Sequence, residues 1–269
     1  MTQNHRATNT THQASDNPEH LIAEDVDVEP TEPNRRLFEG TRGWIMAAAA
    51  TLYAAFHMAA LNGLSVEALT GITLPFLPTF PMETWNFRIV HVAGALVLGF
   101  LVFAAHRFDR DTPARTSPLY DLVALALMAP ALLSLGAAVW FGILLDGGAM
   151  WNGIDETIRF RETWIFGVPL LVASGGAILL SWVQRSDRAR FAAPDAVLAV
   201  CAVAVATYLV TIFGTQMRMS TGSAFAPIGI SFAATAGVAL ILELTRRVAG
   251  LALVIISGVF LTYVFTGQT

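Results

Sequence analysis

The chain has 269 residues, of which 55% are hydrophobic and 13% charged, with a mean hydropathy of +0.58, a balance that suits a lipid bilayer rather than water. All 16 basic residues are arginine, so no lysine is present to reach a Walker A phosphate or to form a retinal or pyridoxal Schiff base, and ATP-driven transporters, opsins and pyridoxal enzymes are excluded. A net charge of −4 without a basic run argues against a nucleic-acid partner.

Residues 1–41 are polar and punctuated by Pro18, Pro30 and Pro33, a composition that cannot bury enough apolar surface to offset its ordering entropy, and they read as a disordered tail. The first apolar run starts near Gly43 and is too long and too late for a signal peptide, so it reads as a retained span. Seven runs approach the length of about 20 apolar residues that a spanning helix needs: 43–62, 88–105, 119–145, 163–183, 194–214, 224–243 and 248–266. The last follows the sixth after only Thr245, Arg246 and Arg247, so it either turns back through the bilayer or lies along its surface. An all-α, polytopic membrane fold with six to seven spans in one domain, 42–269, is expected. The loops 63–86, with Pro75, Pro78 and Pro81, and 146–162, with Trp151, read as ordered. An apolar helix, an arginine loop and an aspartate-led helix recur, through Arg107 to Asp121 and through Arg185 to Asp195, as a weak internal echo.

Arginine placement orients these spans, because short cytoplasmic loops collect basic residues. Arg35, Arg36, Arg42, Arg107, Arg110, Arg115, Arg185, Arg188, Arg190, Arg246 and Arg247 fall on one side, against Arg88, Arg159, Arg161 and Arg218 on the other. The amino terminus is therefore expected in the cytoplasm.

Ionisable groups inside spans are costly and each asks for a role. His57 and His91 lie at similar depth near the external ends of the first two spans; they read either as axial ligands of a b-type haem, making the chain a redox carrier, or as interhelical hydrogen-bonding groups. His106 reads as interfacial. Asp121 and Asp195 open their helices, where a carboxylate favours the positive end of the helix dipole. Glu243, Arg246 and Arg247 cluster at the cytoplasmic boundary, and no carboxylate falls at mid-membrane depth where a proton relay would need one. Gly229, Ala233 and Gly237 form an i, i+4, i+8 stripe for close helix approach, either within the bundle or against a separate subunit; Gly175, Gly176 and Ala47 to Ala50 are similar. Trp44, Trp85, Trp164 and Trp182 fit aromatic belts. The lone Cys201 reads as a packing residue. No nucleophile with a base, no phosphate loop and no metalloprotease motif is present, so no enzyme and no cofactor are expected.

The stretch from Leu242 through Glu243, Thr245, Arg246, Arg247 and Gly250 to Tyr263 and Gly267 resembles the amino-terminal, small-subunit-like region of permeases of tripartite ATP-independent periplasmic (TRAP) transporters, of the TAXI type. There a Leu-Glu-x-Thr-Arg-Arg-x-x-Gly block joins two apolar helices. Arg88 to His91 fits an Arg-x-x-His that opens an earlier span, Phe56-His57 fits a Phe-His in the first, and Tyr120-Asp121 or Pro194-Asp195 fits an aromatic-Asp helix entry. The likeness covers 88–121 and 195–267. The family's proline after the glycine is replaced by Leu253-Val254, two helices are additional, and fused members continue past the position of Thr269.

The resemblance implies a non-enzymatic small membrane subunit, a stator, of a secondary transporter in the prokaryotic inner membrane. Its partners would be a large permease subunit, an external substrate-binding protein and the lipid bilayer, and the cargo a small organic anion driven by an ion gradient. Glu243, Arg246 and Arg247 would fix the last turn, and Arg88, His91, His57, Gly229, Ala233 and Gly237 would serve packing or the partner interface. A haem-binding redox protein and an orphan membrane scaffold are the alternatives.

Overall fold

The computed structural model describes residues 34–62, 71, 84–108, 117–146, 155–188, 190–213 and 226–267. All belong to one compact unit, Pro33–Thr269. Seven helices make up its described part: α1 (Gly40–Asn62), α2 (Thr84–Val102), α3 (Pro118–Asp146), α4 (Glu156–Val183), α5 (Ala193–Phe213), α6 (Gly229–Ala249) and α7 (Leu251–Thr266). Six of them, α1 to α6, are long and apolar enough to cross a membrane. The fold is all-helical and polytopic, and an isolated antiparallel bridge pairs Arg35 with Phe103.

α5 is the hub, packed against α2, α3, α4 and α6. Its sequence explains why. Ala202, Ala204, Cys201, Val197 and Leu198 are all buried, and a helix apolar on every side with small residues along it can be surrounded closely. At one end three rings interlock: Phe166 stacks on Tyr208 with centroids 4.2 Å apart, and Phe141 meets Tyr208 edge-on at 6.3 Å.

α4 is longer than the apolar run within it. Asp155 caps its start by accepting from the amides of Thr157 and Ile158 at 2.8 and 3.1 Å, so the helix begins well before residue 163. Residues Glu162–Gly167 wind as a π-helical turn, a geometry that loosens the usual backbone ladder. Ser134 of α3 compensates, donating its hydroxyl to the Phe166 carbonyl at 2.9 Å and sharing it with the Pro130 carbonyl at 3.0 Å.

The turn between the last two helices also differs from expectation. Thr245, Arg246 and Arg247 do not form the connection; they continue α6, which ends at Ala249, and the chain breaks at Gly250 with φ 86°. A glycine is needed there because other residues avoid that left-handed conformation. The arginines remain helical because their side chains find partners, as described below. α7, at 16 residues, rises about 24 Å, short of a hydrocarbon core of about 30 Å.

Two helices stand apart from the hub. α1 packs on α2 and α7 on α6, and both leave large apolar side chains uncovered, such as Trp44 and Leu52 on α1 and Phe260 and Val264 on α7. The stretch read as a tail ends differently from expectation: Asn34 to Phe38 dock on the bundle, with Arg36 only 2% exposed and its amide donating to the Val102 carbonyl at 2.9 Å. Residues 1–33, most of the loop 63–83 and 147–154 lie outside the described residues.

The small-residue stripe on α6 is an internal seam with unequal tolerances. A Cβ on Gly229 would sit 2.2 Å from the Tyr208 hydroxyl, whereas one on Gly237 would meet Val205 at an ordinary 3.6 Å. Gly229→Ala is therefore expected to destabilise the protein by about 1–3 kcal/mol through overpacking, and Gly237→Ala to change it by less than about 0.5 kcal/mol. Thermal unfolding in detergent checks this; equal shifts for the two would contradict the seam.

Candidate functional site

Three polar clusters are held in the bundle. The largest gathers at the end where α2, α4 and α6 finish and α5 begins. Asp195, in the first turn of α5, is 1% exposed and pairs with two arginines, Arg36 from the segment before α1 and Arg247 from α6, the latter at 2.7 Å. Arg247 also reaches Glu243 at 2.8 Å, and Arg246 reaches the same carboxylate at 2.8 Å. The Trp182 indole of α4 donates to Glu243 at 3.0 Å.

Other guanidinium donors of the cluster close the end of α2. Arg36 donates to the carbonyls of Phe100 and Leu101 at 2.9 and 3.0 Å, Arg247 to Phe103 at 3.0 Å, and Arg246 to Ala105 at 3.3 Å. The carbonyls of Phe100 and Leu101 are ones that a helix end leaves without intrahelical partners, and those of Phe103 and Ala105 lie in the segment just after it. Asn34 adds a bond to the Arg247 carbonyl at 2.6 Å. The cluster thus sets three guanidinium groups against two carboxylates, in surroundings where charge is poorly screened.

Asp195 is therefore more than a helix-dipole cap, and Trp182 more than a belt residue. Asp121 behaves differently from Asp195 despite the echo between them, accepting only from the Gln184 amide at 3.0 Å.

The second cluster lies at the opposite helix ends. Glu162, fully buried in the π turn of α4, accepts from the Tyr208 hydroxyl of α5 at 2.5 Å and from the Gly229 amide of α6 at 3.4 Å. It is a carboxylate inside the fourth span, which the sequence reading began only at residue 163. The apolar run starts at Thr163, so Glu162 looked like the last residue of a loop. The Asp155 cap was the signal that the helix starts earlier.

The third cluster joins α1 to α2. His57 and His91 meet directly, Nε2 to Nδ1 at 2.6 Å. His57 Nδ1 lies 2.7 Å from the Tyr53 carbonyl and so carries its proton there, which leaves Nε2 as the acceptor for His91 Nδ1–H. The Tyr53 hydroxyl donates to the His91 carbonyl at 2.6 Å. Two imidazoles that share a metal ion keep their ligating nitrogens more than about 3 Å apart; here they bond each other at 2.6 Å, so the pair in this arrangement does not fit a haem. The interhelical hydrogen-bonding reading accounts for both residues.

The other residues singled out in sequence fall as follows. Arg88 lies at the exposed start of α2 with its guanidinium 5.7 Å from the Trp85 ring centroid, and it does not join the histidine pair. Gly229 and Ala233 are buried, Gly229 against Tyr208, and Gly237 faces Val205. Glu243, Arg246 and Arg247 come together, but Arg36 and Asp195 complete their network. Among the described residues no three His, Cys, Asp or Glu side chains gather as a metal cage. No protein-family model, curated protein or solved structure matches the chain.

Removing one member of a buried ion-pair network strands the others and costs about 3–5 kcal/mol. Asp195→Ala, which strands Arg36 and Arg247, is expected to cost that much, and Asp121→Ala, which loses one bond at an exposed position, about 1 kcal/mol. Comparing their unfolding temperatures in one detergent checks this; a difference within error would show that the network contributes little to stability.

Proposed function

We propose that this chain is a non-catalytic membrane subunit that acts as a stator for a separate large permease, as in TRAP-type secondary transport. The observation that carries the reading is the use made of buried charge. Arg36, Glu162, Asp195, Glu243 and Arg247, the buried charged residues among those described, all tie one element to another. A subunit that moves ions or substrate places such groups along a path; a subunit that holds position spends them on joints.

The exposed apolar faces of α1 and α7 support the same reading. Each helix is attached along one side only, and a permease packed there would cover side chains that otherwise face lipid. On this reading the arginine-rich end, with Arg36, Arg107, Arg185, Arg188, Arg246 and Arg247, faces the cytoplasm, the membrane is the prokaryotic inner membrane, and the cargo is a small organic anion delivered by an external binding protein and driven by an ion gradient. Neither cargo nor ion would be chosen by this chain.

The test is recovery of the partner. A tag on the amino terminus, mild solubilisation of native membranes and mass spectrometry of what copurifies are expected to yield one large polytopic membrane protein in fixed ratio to the chain. A stable chain recovered alone across several mild detergents would favour an orphan scaffold instead.

A further inference from the structure

Beside the ion-pair network, at the same end of the bundle, a cavity of about 290 Å³ opens between the end of α2, the end of α4 and the segment leading into α5. That volume is near the lower bound of small-molecule sites, about 300 Å³, and suits a polyatomic anion rather than a large ligand. Its wall carries four arginines, Arg36, Arg107, Arg185 and Arg188, against two aspartates, Asp187 and Asp195. Asp195 is already shared by Arg36 and Arg247, so among the described residues of this wall positive charge is in excess.

Three polar atoms of the lining have no partner among the described residues: Arg36 Nε, His106 Nε2 and Gln184 Oε1. Arg36 and Gln184 are 2% and 5% exposed, and a buried polar atom without a partner is costly enough to call for one. The Gln184 amide nitrogen is committed to Asp121 at 3.0 Å, so its free oxygen asks for a donor, while the Arg36 nitrogen asks for an acceptor. One ligand that supplies both is a phosphate bearing a hydroxyl. Burial, together with the charges of Arg185 and Arg246, pushes the His106 imidazole below its ordinary range against the opposing pull of the Trp182 and Ser181 carbonyls, and an anion would relieve that repulsion.

We infer that this cavity binds a hydroxyl-bearing phosphate anion, of the kind presented by a phosphatidylglycerol headgroup or by free hydrogen phosphate. Basic pockets at the ends of spanning helices are suited to anionic headgroups, and arginine forks match phosphate geometry. The inference is independent of the stator reading.

The experiment uses the full chain, purified in mild detergent and washed free of lipid, with three probes: phosphatidylglycerol, phosphatidylcholine and inorganic phosphate. Occupancy is read by native mass spectrometry and binding by thermal shift. The variant is Arg107→Gln with Arg185→Gln, both exposed at the cavity; the control is Arg42→Gln with Arg190→Gln, which removes the same charge outside it. Phosphatidylglycerol is expected to bind in preference to phosphatidylcholine, with affinity lowered about tenfold or more in the variant and kept in the control. If inorganic phosphate alone stabilises the chain with the same sensitivity, the ligand is the free anion; if only the lipid does, it is the headgroup. Failure of both anionic probes to bind the wild type, or equal losses in variant and control, would overturn the inference.

Discussion

In lipid, apolar helices gain little by burying apolar faces against one another, because the tails are as apolar as the side chains. Register between helices must then come from shape and from polar contacts, and here the decisive contact is the pair of carboxylates, Asp195 and Glu243, gripped by Arg36, Arg246 and Arg247. Desolvating such groups is expensive and their attraction repays it only with full hydrogen bonding. Much of that bonding comes from guanidinium donors used on the carbonyls at and just past the end of α2, though Arg36 Nε and one terminal nitrogen of Arg247 have no partner among the described residues. One network therefore sets the relative positions of the segment before α1, α2, α4, α5 and α6.

The opposite ends are held by a different device with the same logic. Glu162 ties α4 to α5 and α6 through Tyr208 and the Gly229 amide. The π turn places it there, and the glycine at position 229 leaves the space that the Tyr208 hydroxyl occupies. The cost of an irregular turn is offset by Ser134, whose hydroxyl satisfies the Phe166 carbonyl. With a joint at each end, α4, α5 and α6 have little freedom to slide, whereas α1 depends on the Tyr53, His57 and His91 contacts and α7 on the turn at Gly250.

What could be read from sequence follows from how local each signal is. Six spans were legible because hydropathy sums over about 20 neighbouring residues, and Glu243, Arg246 and Arg247 were legible as a cluster because they are close in sequence; that they share a helix face at i, i+3 and i, i+4 was not, since the charges looked like the end of the span. The meeting of His57 and His91 was legible as a matching depth on successive helices. The partner of Asp195 was not, since Arg36 lies 159 residues away in a stretch whose composition spoke for disorder. Glu162 was hidden by its position: a charge beside an apolar run looks like a loop residue unless the helix start is placed correctly. The π turn leaves no periodic trace, because one widened turn is lost among apolar residues on all sides.

The absence of lysine has a structural counterpart. Arg247 contacts Asp195, Glu243 and the Phe103 carbonyl at once through Nε and one terminal nitrogen, with the donors diverging in a fixed plane. A lysine ammonium at the same place is a compact point charge that shifts its pKa when buried, so it could neither span the two carboxylates nor stay reliably charged between them. The always-charged guanidinium makes the network permanent across physiological pH, and permanence is what a joint requires. It also leaves a lasting positive surplus, three guanidinium groups against two carboxylates, beside the arginine-lined cavity. That surplus is what the proposed anion site beside the network would draw on.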